Sequence, residues 1–241
     1  MMQENLCVDI GNTLIKAGIF RGKNLIEKVV FESYDAFIFW AVKQSFANVI
    51  ISNVKKEEAQ LLDTFSLSNL LIFDYKLHLP IKNTYKTPET LGKDRLASVL
   101  GAMSIFPGKN CLIIDAGTCI TYDIINSNAE YLGGAISPGL SMRFKALNQF
   151  TAKLPLLETG ENFPVTGNDT NSSIRSGVQN GMIYEIEGMI ENYKNLYPEL
   201  TVILCGGDSS FFESKIKGTI FAFPDLVLIG LNHSLLYNAP K

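Results

Sequence analysis

Short apolar runs bounded by turn residues recur along the chain, and the order in which they occur repeats in its second half. Residues 5–10 make a first apolar run, which predicts a buried strand. The chain turns at Asn12-Thr13, and residues 14–20 return as the partner strand. Arg21-Gly22-Lys23-Asn24 reads as a hairpin turn into a third strand over 25–31. Phe37, Trp40, Ala41 and Phe46 fall at helical spacing and predict a helix over 34–46. A buried strand over 49–52, a polar helix over 55–64 and a strand over 70–73 follow.

Strands are then expected over 111–115, 120–125 and 131–136, with Asn126-Ser127-Asn128 turning between the last two. A helix over 140–149 precedes a long helix over 170–196 whose apolar positions are Ile174, Val178, Met182, Ile186, Met189 or Ile190, and Tyr193. A buried strand over 201–205 ends in Gly206-Gly207-Asp208, and another is expected over 219–223. Pro224-Asp225 opens a final helix reaching Leu236. A helix over 91–106 joins the two halves. The ββ(β)αβα order is that of a ribonuclease-H-like layer. Its duplication predicts an α/β fold of the actin/hexokinase/Hsp70 type. Residues 1–106 would form an N-terminal lobe with its connecting helix, and 107–241 a C-terminal lobe, each a mixed sheet flanked by helices.

Composition narrows the partners more than the fold. The 241 residues are 46% apolar and 19% charged, an ordinary globular balance. A net charge of −3 without long runs of either sign argues against nucleic acid as a main partner. No apolar run approaches the roughly 20 residues of a membrane span, so no membrane partner is expected. The first ten residues leave no room for a signal peptide, and a cytoplasmic protein is expected. Cys7, Cys111, Cys119 and Cys205 lack Cys-x-x-Cys spacing and read as free thiols.

Two segments carry one pattern. Asp9-Ile10-Gly11-Asn12-Thr13-Leu14-Ile15-Lys16 and Asp115-Ala116-Gly117-Thr118-Cys119-Ile120-Thr121-Tyr122-Asp123 each follow a buried strand. In both, the strand ends at an Asp, a Gly allows a tight turn, and small polar residues open the returning strand. Such hairpins can aim N–H groups and hydroxyls at phosphate oxygens. Asp9 is a candidate Mg²⁺ ligand, and Lys16 can neutralise charge developing during transfer. The strand ends after Asp9 and Asp115 are expected to face one another across a cleft.

The third motif is Thr87-Pro88-Glu89-Thr90-Leu91-Gly92-Lys93-Asp94-Arg95. Its bland interpretation has Asp94 capping a helix and Arg95 in solvent. The functional one has Arg95 gripping a substrate carboxylate and Asp94 accepting a hydroxyl proton. Gly133-Gly134-Ala135-Ile136-Ser137-Pro138-Gly139 and Gly206-Gly207-Asp208 suit close approach of a ligand or a neighbouring backbone. Gly177, Gly181 and Gly188 in one helix mark a candidate subunit interface.

Taken together, Asp9-x-Gly-Asn-Thr-x-x-Lys16, Thr87-Pro-x-x-x-Gly-x-Asp-Arg95, Asp115-x-Gly-Thr-x-x-Thr-x-Asp123, Gly133-Gly-x-Ile-x-Pro-Gly139 and Gly206-Gly-Asp208 resemble the type III pantothenate kinases nearly end to end. The resemblance implies ATP-dependent phosphorylation of pantothenate, the first step of coenzyme A biosynthesis, by a homodimer that needs a monovalent cation (K⁺ or NH₄⁺) besides Mg²⁺. It implies Asp94 as proton acceptor, and Tyr85, Gly92, Lys93, Asp94, Arg95 and Thr170 as the pantothenate site. Asp9, Ile10, Gly11, Asn12, Thr13, Leu14, Ile15 and Lys16 correspond to the ATP phosphate loop, Thr118 to a further ATP contact, and Asp115 to the monovalent-cation ligand. Two departures stand out: Asn168-Asp169 before Thr170, and Lys55-Lys56 where relatives often have a proline. The alternatives are another small-molecule kinase of the superfamily, or a nucleotide-binding regulator without turnover.

Overall fold

A computed structural model describes residues 4–53, 65, 70–161 and 163–238, and the expected helix over 55–64 lies outside them. The chain divides into two compact units. Unit 1 comprises Met1–Gly108, Asn126–Leu132 and Asp225–Lys241; unit 2 comprises Lys109–Ile125 and Gly133–Pro224.

Unit 1 is built on β1 (Glu4–Ile10), β2 (Ile15–Arg21), β3 (Asn24–Phe31), β4 (Asn48–Asn53) and β5 (Leu70–Ile72), in the order β3-β2-β1-β4-β5. β2 runs antiparallel to both β1 and β3, while β4 runs parallel to β1 and to β5. The central strand β1 is packed by helices, α1 (Tyr34–Ala41) and the last helix of the chain among them, and its residues Leu6 to Val8 are buried without alternation. Helix α1 starts at Ser33, whose Oγ accepts from Ala36 N–H at 3.2 Å. It stops five residues before the expected end, because Lys43 and Gln44 donate to Trp40 and Ala41 in tightened turns. Phe46 joins the same core from the following loop, its ring 6.1 Å from that of Trp40. Its helical spacing was therefore a packing signal without a helix. A two-residue strand β6 (Lys82–Asn83), not legible in the sequence, pairs in parallel with Glu130 and Tyr131. A 3₁₀ turn at Pro88–Thr90 leads into α2 (Lys93–Ile105).

Unit 2 repeats the design with β7 (Cys111–Ala116), β8 (Cys119–Ile125), β9 (Glu130–Pro138), β10 (Thr201–Cys205) and β11 (Phe221–Ala222), in the order β9-β8-β7-β10-β11. β8 is antiparallel to β7, and β10 is parallel to both β7 and β11. The strand expected over 219–223 is thus only two residues long. Helix α3 (Leu140–Gln149) has the expected bounds. The long helix over 170–196 is divided into α4 (Thr170–Arg175), a π turn (Ser176–Asn180) and α5 (Gly181–Leu196). Loop anchoring accompanies the wide turn: Ser176 Oγ donates to Val165 O at 2.6 Å, and the buried Gln179 amide bonds both the N–H and the C=O of Gly160. A short helix α6 (Ser209–Glu213) follows the Gly206-Gly207 turn.

The last helix, α7 (Leu226–Asn238), packs in unit 1 against α2. Past the charged first turn of α2, both helices are mostly apolar, as buried helices are. Their approach depends on glycine: a Cβ on Gly101 would stand 2.4 Å from Leu226 O, and one on Gly230 only 1.8 Å from Ala97 O. Backbone atoms cannot swing aside, so Gly230→Ala is expected to destabilise the protein by about 1–3 kcal/mol. Urea unfolding measures this, and an unchanged midpoint would show that the helices separate freely.

Candidate active site

In unit 1, antiparallel pairing sets Lys16 opposite Asp9, and parallel pairing sets Ser52 beside it. Burial pushes the Asp9 carboxyl up to about 6, and the neighbouring Asp94 carboxylate pushes the same way. Lys16 and Ser52 oppose them. Ser52 is fully buried, and its hydroxyl favours the ionised Asp9 carboxylate. Sequence reasoning missed Ser52, since only the β1–β4 register brings it to Asp9.

The hairpin after Asp9 is closed by Gly11 N–H, which donates to Leu14 O at 3.1 Å; Gly117 N–H donates to Cys119 O at 2.9 Å in the second hairpin. Each glycine N–H therefore builds its turn, which alters the expected phosphate role of Gly11. Asn12, Thr13 and Leu14 are exposed, leaving Asn12 and Thr13 as the polar groups facing outward. Ile10 and Ile15 pair across the hairpin with their side chains in the core, so only their main chain is available to a ligand.

Gly92, not Asp94, is the N-cap of α2, and the bland interpretation of the Asp-Arg pair does not hold. Asp94 is exposed in the first helical turn and accepts from Arg95 N–H at 2.8 Å. A Cβ on Gly92 would crowd its Oδ1 at 2.6 Å. Arg95 is only 6% exposed, and its guanidinium lies 5.6 Å from the centre of the Tyr85 ring. Tyr85 in turn stacks on buried Tyr131 at 6.1 Å. Lys93 is half-buried. Unit 1 thus brings together Asp9, Lys16, Ser52 and Asp94, and separately links Tyr85 to Arg95.

Unit 2 gathers its own set. Asp115, partly buried near the end of β7, pairs with Thr121. Gly206, at φ +92°, approaches so closely that a Cβ would stand 2.4 Å from Asp115 Oδ1. Asp208 N–H donates to Ala116 O at 2.9 Å. From another side, Gly139 N–H donates to Thr118 O at 3.2 Å, and a Cβ there would meet Gly117 O at 2.1 Å. Both glycine-rich motifs therefore serve approach to a neighbouring backbone, that of the Asp115–Thr118 turn. Thr170 opens α4 behind the Asp169 cap and lines a cavity of about 690 Å³ with Leu147, Leu154, Asn168 and Ile174.

Burial pushes the Cys7 thiol well up and that of Cys111 to about 11, as expected of inert thiols. Among the described residues no helix is long and apolar enough to cross a membrane.

The fold and the motifs define a phosphotransferase of the actin/hexokinase/Hsp70 class. A glucomannokinase from Arthrobacter that uses polyphosphate or ATP superposes with a TM-score of 0.55 over 98% of this chain and 100% of its own, at 14% identity. A conserved Campylobacter jejuni protein of the Baf family gives 0.64 over 97% of this chain and 98% of its own, at 22% identity. The family model for type III pantothenate kinase matches residues 5–192. The type III pantothenate kinase of Christiangramia forsetii is 46% identical over 239 residues, 97% of this chain and 98% of the relative. The chain belongs to the type III pantothenate kinase family, and as a member of it is a kinase that uses ATP.

Proposed function

We propose that this protein transfers the γ-phosphoryl group of ATP to the primary hydroxyl of pantothenate, forming 4′-phosphopantothenate at the entry to coenzyme A biosynthesis. The observation that carries this reading is the placement of Asp94: exposed at the start of a buried helix, close enough to Asp9 to raise its pKa, and adjacent to a buried arginine. Asp94 orients the acceptor hydroxyl and takes its proton late, when bond formation to phosphorus has acidified it. A loose phosphoryl-transfer transition state requires no more. Arg95, held against Tyr85, is the counter-charge for the pantothenate carboxylate, with Gly92 and Lys93 beside it in unit 1. Asn12, Thr13, Lys16 and Thr118 take the ATP phosphates.

Asp9 is a hard carboxylate donor held largely out of solvent opposite Lys16, and together with phosphate oxygens and water it suits Mg²⁺. Bound there, Mg²⁺ would neutralise phosphate charge. Asp115, a single carboxylate beside the Ala116 carbonyl and the Gly206 turn, suits a monovalent cation such as K⁺ or NH₄⁺. A homodimer is part of the proposal. Gly177, Gly181 and Gly188 share a face with exposed Tyr184, and a Cβ on any of the three would meet nothing within 4 Å. These glycines have no partner inside the described chain that requires them, and sedimentation should show a dimer.

A coupled ADP-release assay tests the reading. ADP should appear with pantothenate, ATP, Mg²⁺ and K⁺ together, fall when Na⁺ replaces K⁺, and stay at background without pantothenate. Substituting Arg95→Met should raise the KM for pantothenate about 10–100-fold, the loss expected when a charge-assisted pair is removed. An unchanged KM would take Arg95 out of the acceptor site.

A further inference from the structure

Arg143, in the first turns of α3, bonds a small group of neighbours in unit 2. Its Nε donates to Pro138 O at 2.7 Å, its Nη2 donates to Ser137 Oγ at 3.0 Å, and Nη2 also pairs with Glu185 Oε2 on α5. Ser137 Oγ donates to the same carboxylate oxygen at 3.3 Å. The other oxygen, Glu185 Oε1, accepts from Tyr122 OH at 2.9 Å. Burial and the Glu185 charge together raise the Tyr122 pKa, so the phenol stays a donor. β8, the end of β9, α3 and α5 therefore meet at one half-buried guanidinium–carboxylate pair.

Cohesion does not need this pair. Leu140 and Phe144 of α3, Ile120 and Tyr122 of β8, and Ile183 and Ile186 of α5 already share one apolar cluster. What the apolar cluster cannot supply is direction, because apolar contact is not oriented. Arg143 holds the Pro138 carbonyl, the group immediately before Gly139, and Gly139 N–H bonds Thr118 O. The chain of bonds runs from Glu185 through Arg143 and Gly139 to the turn carrying Thr118.

We propose that Arg143 and Glu185 act as a positioning pair that sets the Thr118 turn for the nucleotide phosphates. The proposal rests on the reading of Thr118 as an ATP contact. Neither residue touches substrate; each acts through the 137–139 segment. A displacement of about 1 Å in a positioned group can lower turnover by as much as 10²-fold, so a partial loosening is expected to cost on the order of tenfold.

The test compares steady-state constants for both substrates in the whole protein and in Arg143→Met, Glu185→Gln, the double variant, Tyr122→Phe and Thr118→Ala. Arg143→Met should raise the KM for ATP about tenfold while leaving that for pantothenate within about twofold. The double variant should be no worse than the worse single one, because the pair acts as a unit. Tyr122→Phe, which removes one bond and little volume, should raise the KM for ATP about threefold. It decides the matter if Arg143→Met does not fold. A lower melting temperature with both KM values unchanged, or equal rises in both, would overturn the proposal. If Thr118→Ala raises the KM for ATP and Arg143→Met does not, the positioning pair alone is wrong. If Thr118→Ala leaves it unchanged, the reading of Thr118 fails and the proposal falls with it.

Discussion

Asp94→Asn lowers kcat for pantothenate phosphorylation by a factor on the order of 10²–10⁴, the range that a positioned proton acceptor contributes, and leaves the fold intact. The side chain is exposed and accepts from Arg95 N–H at 2.8 Å, a bond that an asparagine oxygen can retain. An exposed carboxylate contributes little to packing, so thermal unfolding should be almost unmoved while turnover collapses. ATP binding should persist, because Asp94 is assigned to the acceptor hydroxyl. The substitution also removes the like charge that helps to raise the Asp9 pKa, so Asp9 should titrate lower in this variant. A variant with near-normal kcat and a lower melting temperature would make Asp94 a structural residue.

Asp9→Asn should lower kcat/KM for ATP by at least about 10²-fold, the scale seen when one preorganised electrostatic group is removed, and should stabilise the free protein at neutral pH. The folded-state carboxyl sits at about 6 against an ordinary value of 3.8. A raised carboxyl binds its proton more tightly in the folded state. Its contribution to stability is therefore fully present below about pH 4 and is lost as pH rises through about 6. At pH 8 the wild-type chain carries the full penalty of an ionised, partly desolvated Asp9. A shift of this size corresponds to at most about 3 kcal/mol, and solvent access to the half-buried site reduces it to about 1–2 kcal/mol. Urea unfolding without nucleotide should show the variant more stable above pH 7 and level with wild type near pH 4. Equal or lower stability of the variant at pH 8 would contradict the assigned environment.

The pair of hairpins was legible because the same Asp-x-Gly motif closes two buried strands, and the β-sheet order repeats with them. Tertiary partners were not legible. Ser52 reaches Asp9 only through a parallel register, which leaves no local mark. Helix α7 follows the second set of strands in sequence, yet packs in unit 1; Gly101 and Gly230, which make that packing possible, carry no label for their partner. The π turn did leave a trace. Ile174, Val178, Met182, Ile186 and Ile190 are spaced by four, and such a series creeps around a regular helix of about 3.6 residues per turn. One wider turn takes up much of that drift and keeps them near one face. Phe46 shows the opposite case, where helical spacing marks a shared core and not a continuous helix.

The most direct measurement is the identity of the phosphorylated product. Mass spectrometry of a reaction containing the purified protein, ATP, Mg²⁺, K⁺ and pantothenate should show 4′-phosphopantothenate and ADP in equal amounts. ADP without phosphorylated pantothenate, or phosphate delivered instead to a sugar or another hydroxy acid in a substrate panel, would contradict the assignment.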